Sequence, residues 1–195
     1  MPKKNTHQTK DRIISAAWKL FYDIGYEETT IEDIIQASQT SRGTFYHYFT
    51  GKDALLGTLA YVFDEKYKEL EPLLTEDMSV KDKLIFLNHE LFTKVEDGIS
   101  RELLSRLLAT QLSNQSQKQL LDRDRFYFRM IRSIIRDGLR DNLFREDLRE
   151  NDILQAYTMW ERALLYDWCL ASGEYSLVRF ADRMTPVFVA SLFRE

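Results

Sequence analysis

Residues Thr40–Leu55 read TSRGTFYHYFTGKDAL, a window holding four aromatics, two glycines, a histidine and two cations. Most of these residue types are weak helix formers, yet apolar helical spacing continues on both sides. At about 100° per residue, Ser41, Phe45 and Phe49 fall on one face of a helix that Ser41 can cap. Phe45 and Phe49 are expected to anchor that face in a core. The opposite face carries Arg42, Gly43, Tyr46 and His47, with Thr44 and Tyr48 on its flanks.

That outward set suits DNA. Arg42 can fork onto a guanine edge or a phosphate. Gly43 lets another backbone approach closely. Thr44 offers a hydroxyl and a methyl, the latter matched to a thymine methyl. The hydroxyls of Tyr46 and Tyr48 can reach phosphate oxygens. Lys52 stands where the next helix begins, a place that attracts phosphate through free amides and its own charge. His47 alone is a weak signal, and aromatics at helical spacing are usually core. The order of the whole window carries the reading.

Upstream, the spacing predicts a helix over about Thr9–Ile24, with Ile13, Ala17, Leu20, Phe21 and Ile24 on one stripe and Gly25 in a left-handed position after it. Thr30 then opens TIEDIIQAS, where Thr30 and Asp33 match a capping box. That short helix ends near Ser38, and the turn Gln39–Thr40 leads into Ser41. Two short helices joined by a tight turn and braced by a longer one form the helix-turn-helix plan, whose second helix enters the major groove. Thr30 starts helix 2 as Lys52 starts helix 4, so both are candidate DNA contacts.

Downstream, one longer helix is expected over about 52–71, from Leu55 to Leu70 and stopped by Pro72. Helices should then cover about 79–97, 100–112, 118–141, 151–171 and 176–193, with the polar SNQSQ between the second and third. Gly98, Asn142 and Gly173 mark ends, and Pro186 should kink or split the last helix. The expected fold is all-α with about nine helices. An N-terminal three-helix domain, 1–52, precedes a larger helical domain, 53–195. No alternating strand pattern and no internal repeat is present.

Composition agrees with a folded, water-facing protein: 195 residues, 44% apolar and 30% charged. No apolar run approaches the ~20 residues of a membrane span, the N-terminus has no secretory pattern, and the single Cys169 cannot form an internal disulfide. A cytoplasmic protein without membrane contact is expected. The net charge is −4, unevenly spread: residues 1–52 hold seven cations and six anions, while residues 53–195 hold 20 and 25. DNA binding must therefore come from a local surface near the N-terminus.

The N-terminal block resembles the DNA-binding domain of the tetracycline-repressor (TetR) family. The resemblance lies in Ile13–Ile14, Ala17, Leu20–Phe21, Gly25–Tyr26, Thr29–Thr30–Ile31, Ile34 and Ala37, then Ser41 to Phe49, and Lys52 with Leu55. It implies an all-helical homodimer that binds a palindromic operator and represses transcription until a small molecule occupies the C-terminal domain. It implies Ser41 and the residues named above as DNA contacts, and no cofactor. The family commonly carries glycine and valine where this chain has Gln39 and Thr40. A non-glycine residue in a left-handed turn costs energy, so a helical ligand- or protein-binding module that no longer reads DNA is the alternative.

The C-terminal segment DILQAYTMWERALLYDWCLA, residues 152–171, is apolar around more of its circumference than a surface helix. With the last helix it is expected to build a dimer interface through Leu164 and Trp168, facing Leu177, Phe180, Met184, Phe188 and Leu192. A ligand cavity needs apolar walls with a few polar groups. Phe86, Phe92, Phe126, Tyr127 and Met130 are candidates, with Tyr157, Met159 and Trp160 from the later helix. Glu161, set in an apolar run, could meet a cationic ligand, although pairing with an arginine is favoured. Arg125, Arg129, Arg132, Arg136 and Arg140 share one face, expected to be solvated and laced to Asp122, Asp137 and Asp141. No phosphate loop, zinc-protease spacing or GxSxG is present, so neither an enzyme nor a metal site is expected.

Overall fold

The computed structural model describes residues 3–113 and 119–194. Most of the SNQSQ connector and Lys118 lie outside the described residues; residues 119–125, expected in the helix over 118–141, instead form a short 3-10 turn and an irregular stretch, and that helix begins only at Phe126. Ten α-helices run through the rest, nine of them at least seven residues long, with no strand among the described residues. No helix is long and apolar enough to cross a membrane. The residues gather into two compact units: Met1–Leu59 with Glu102–Gln119, and Ala60–Arg101 with Leu120–Glu195.

The first unit contains α1 (Lys3–Asp23), α2 (Ile31–Ser38), α3 (Arg42–Tyr48), α4 (Lys52–Leu56) and most of α7 (Arg101–Ser113). α1 begins earlier than its apolar stripe suggested and buries Ile13, Ile14, Ala17 and Phe21. Ile24 is excluded from that core and half-exposed, because α1 has ended one residue before it. Gly25 takes the left-handed φ of +93° that turns the chain. The expected long helix over 52–71 is broken at Gly57–Thr58. There the Thr58 amide and hydroxyl both bond the Leu55 carbonyl, at 2.9 and 2.6 Å, and the Trp18 indole N–H donates to the same hydroxyl at 2.8 Å. α7 joins this unit through Arg106, which ion-pairs with Glu27 and lies 5.5 Å from the centre of the Tyr26 ring.

The second unit contains α5 (Leu59–Leu70), α6 (Val80–Gly98), α8 (Phe126–Arg140), α9 (Glu150–Leu170) and α10 (Leu177–Ala190). α6 packs along α10 and against α8, and α8 lies on α9. A Cβ on Gly138 would come within 2.5 Å of the Phe144 ring, so only glycine permits this close packing of α8. Asn142 closes α8 at φ +55°, as its position suggested. α10 runs through Pro186 without dividing. The lost amide hydrogen bond is tolerated in a helix that packs on both α6 and α9.

Candidate DNA-reading surface and ligand cavity

The reading surface starts from two caps. Thr30 accepts from the Asp33 amide while Asp33 accepts from the Thr30 amide at 2.9 Å, a complete capping box at the start of α2. Hydrogen bonding to Thr30 holds the Asp33 carboxyl below its usual range. Ser41 Oγ accepts from the Thr44 amide at 3.1 Å and fixes the first turn of α3. With α3 so started, Phe45 is fully buried and Phe49 nearly so. Arg42, Gly43, Tyr46 and His47 are exposed, and Thr44 and Tyr48 are half-buried at the flanks. The helix therefore presents one continuous polar and aromatic face.

Two of these groups carry a prior engagement. Arg42 pairs with Glu32 at 2.8 Å, but both side chains are more than 60% exposed, so the pair is weak and exchangeable. Lys52 is held inward. Its ammonium donates to the carbonyls of Tyr26, Glu27 and Thr29 at 2.6, 3.2 and 3.0 Å and sits 4.3 Å from the centre of the Tyr26 ring. Those three bonds match the three donors of an ammonium. Lys52 thus braces the chain between α1 and α2, a role its position in the sequence did not signal.

The turn that aims α3 is left-handed at Gln39, with φ +53° and ψ +44°. The strain is countered by Arg12 of α1, whose guanidinium donates to the Ser38 carbonyl at 2.8 Å and the Gln39 carbonyl at 2.8 Å. Thr40, in the place of an apolar residue, hydrogen-bonds Ser38 Oγ at 2.9 Å. Gln39→Gly should stabilise the unit by roughly 0.5 kcal/mol, because relief of ~1–2 kcal/mol of left-handed strain is partly offset by glycine's ~0.5–1 kcal/mol entropy cost. Urea unfolding of the two proteins checks this; a destabilised glycine variant would show that Gln39 is not strained.

The second unit holds a small cavity of about 50 Å³. Its walls include Phe63, Leu91, Leu120 and Leu165, with Tyr67, Arg125, Tyr127, Thr158, Glu161 and Arg162 supplying polar atoms. A wider recess of about 340 Å³ shares Thr158 and Arg162 with it and adds Arg123, Phe128 and Met159. Of the residues expected to bind ligand, Tyr127 and Glu161 line the cavity and Met159 the recess. Phe92, Met130 and Tyr157 are buried, and Phe86 and Phe126 half-buried, without lining either space. Trp160 stacks on Phe188 at 4.7 Å and donates to Thr185 at 3.1 Å.

Among the described residues Glu161 forms no ion pair with an arginine, although the Arg162 charge acts on it weakly. It is 3% exposed, accepts from the Tyr127 hydroxyl and receives the Asn88 amide at 3.4 Å. Asn88 in turn accepts from Thr185 at 2.7 Å, and the Tyr157 hydroxyl donates to the Leu84 carbonyl at 2.7 Å. Desolvation dominates these bonds and lifts the carboxyl from 4.5 to about 7. Burial also drives Tyr67, Tyr127 and Tyr157 well above the phenol range.

An acid with a raised folded value holds its proton more tightly in the folded chain. The burial of Glu161 therefore costs nothing below pH 4.5, costs progressively more up to about pH 7, and costs its full amount above that. Glu161→Gln should remove this dependence: relative to the native chain, the variant should gain stability as pH rises through that window, by up to about 3 kcal/mol. Unfolding curves at several pH values test it, and parallel curves for the two proteins would refute it.

Leu164, Trp168, Leu177 and Leu192, expected at a dimer interface, turn into the core of their own chain. Phe180, Met184 and Phe188 are half-buried. The apolar groups that α9 leaves outward are Met159, Tyr166 and Leu170, and α10 adds Val187. The arginine face also divides. Arg125 is buried and pairs with Asp64 at 2.8 Å, whereas Arg132 and Arg136 reach Glu150 at 2.6 and 2.8 Å. Arg140 pairs with Asp137 as its spacing implied. Tyr67 and Asp64 were missed as site residues because helical periodicity marks Tyr67 only as core and gives Asp64 no distant partner.

Residues 13–59 match the family described as bacterial regulatory proteins, tetR family. The repressor KstR2 of Mycolicibacterium smegmatis is 26% identical over 141 residues, 71% of this chain and 69% of that protein. The regulator YuxN of Bacillus subtilis is 33% identical over 95 residues, 47% of this chain, and the match spans only a third of YuxN's length. Among solved structures, the repressor FadR of Thermus thermophilus in complex with lauroyl-CoA superposes with a TM-score of 0.72 at 20% identity, covering 95% of this chain and 96% of that one.

Proposed function

Because this chain is a TetR-family transcriptional regulator, we infer that it is a ligand-responsive repressor which binds operator DNA through α3 and leaves it when a small molecule occupies the second unit. The outward face of α3 carries this reading: exposed Arg42, Gly43, Tyr46 and His47, flanked by Thr44 and Tyr48, on a helix anchored by buried Phe45. The Arg12 clamp on the Gln39 turn supports an aimed reader over a disabled one.

On this reading residues 1–52 meet DNA, and residues 53–195 hold the effector and pair two copies in the cytoplasm. A twofold protein meets two half-sites of a palindrome, and the outward apolar groups of α9 and α10 suit such pairing. Long-chain acyl thioesters are the first effectors to try, since the FadR structure was solved with lauroyl-CoA. Arg123 and Arg162 at the recess are suited to an anionic head. The effector must bind the two states of the protein unequally, because equal affinity shifts nothing.

Titration of DNA from upstream of the protein's own gene tests the reading. Log affinity should fall linearly and steeply with log salt, and lauroyl-CoA should release the complex. Tyr46→Phe should weaken all sites alike, whereas Thr44→Ala should change preference at one base. Binding no tighter than to random DNA would refute it.

A further inference from the structure

The small cavity contains an unmet hydrogen-bonding demand. Tyr67 is 2% exposed and lines this space, and its hydroxyl has no hydrogen-bond partner among the described residues. A buried hydroxyl left in that state is costly, and native chains rarely keep one without reason. Its ring lies 4.9 Å from that of Tyr127, whose hydroxyl donates to Glu161. Glu161 lines the same space and, with one bond accepted at each oxygen, keeps acceptor capacity.

We propose that this cavity binds an alcohol: an apolar effector whose hydroxyl accepts from Tyr67 and donates to Glu161. Each competing head group leaves one of the two unserved. A carbonyl or ether oxygen accepts from Tyr67 but offers Glu161 no proton. An ammonium donates to Glu161 but leaves the Tyr67 proton without an acceptor, and Arg162 at the wall opposes its charge. Arg125, also at the wall, is already neutralised by Asp64 and bonded to the Ala60 carbonyl at 2.7 Å. The cavity of about 50 Å³ has room for little more than the hydroxyl-bearing end. The recess, which shares Thr158 and Arg162 with the cavity and has Leu121, Phe128 and Leu154 in its walls, is the neighbouring space for the rest of an apolar chain, with Arg123 there for any anionic group. The proposal rests on the ligand-responsive reading and names the chemistry of the effector's buried end.

Calorimetric titration of the full chain with 1-octanol, its isomer heptyl methyl ether, and octylamine tests it. At about pH 8, where Glu161 is mostly ionised, octanol should bind about tenfold more tightly than either. Tyr67→Phe deletes only an unpartnered hydroxyl and should fold as the native chain does; in it octanol should lose about fivefold or more. Equal affinity for the ether, tighter binding of the amine, no heat from any of the three, or octanol binding unmoved by Tyr67→Phe each overturns the proposal. Release from operator DNA by lauroyl-CoA without the octanol preference would leave the repressor reading intact and remove this inference alone. An octanol preference in a chain that binds no operator would do the reverse.

Discussion

Asp64→Ala should destabilise the second unit by about 3–5 kcal/mol, because it strands a buried guanidinium. Arg125 and Asp64 have side chains only 6% and 8% exposed. The carboxylate also accepts from the Phe126 and Tyr127 amides, each at 3.3 Å, at the start of α8. Arg125 is the N-cap of that helix and provides no side-chain cap of its own, so Asp64 caps α8 from α5. One substitution therefore removes an ion pair, two amide partners and a favourable charge at a helix start. The paired change Asp64→Leu with Arg125→Met should recover most of the loss, since an apolar pair of similar volume often replaces a buried ion pair without penalty. Urea unfolding of the single and double variants decides it. A single variant as stable as the native chain would mean that water reaches Arg125.

Phe45→Ala should abolish operator binding by loosening α3 rather than by deleting a contact. Phe45 is fully buried, with ring centres 5.4 Å from Tyr46 and 5.9 Å from Phe49. Emptying that space costs about 3–5 kcal/mol. α3 has only seven residues, too few to persist without tertiary packing. Effector binding should survive, because the cavity is lined wholly by the other unit. Phe45→Leu should give an intermediate loss. Calorimetry with effector beside a DNA shift assay separates the outcomes; undiminished operator binding by Phe45→Ala would show that α3 is held by something else.

Much of the N-terminal unit was legible because its determinants are local. Capping at Thr30 and Ser41, the left-handed Gly25, and the inward Phe45 and Phe49 all follow from residues within one or two turns of each other. The break at Gly57–Thr58 was not, because it is held by Trp18, forty residues away. The same distance hid Lys52, whose partners lie 23–26 residues upstream.

In the second unit, legibility fell with the separation of the partners. Periodicity located α8, α9 and α10, and it marked Glu161 as out of place among apolar neighbours. It could not say that Tyr127 and Asn88, rather than an arginine, would receive that carboxyl. Nor could it separate Arg125 from four arginines on the same stripe.

The all-helical plan, the caps of α2 and α3, the turn at Gly25 and the outward chemistry of α3 were written in the sequence alone. Those depend on cap residues, glycine positions and a 3.6-residue period, all written within a few residues. Which polar groups are buried, which are paired and which are left wanting depended on the packing of distant segments. Burial and pairing are properties of side chains brought together across 23 to 97 residues of chain. A buried charge or hydroxyl takes its energy from the neighbours the fold supplies.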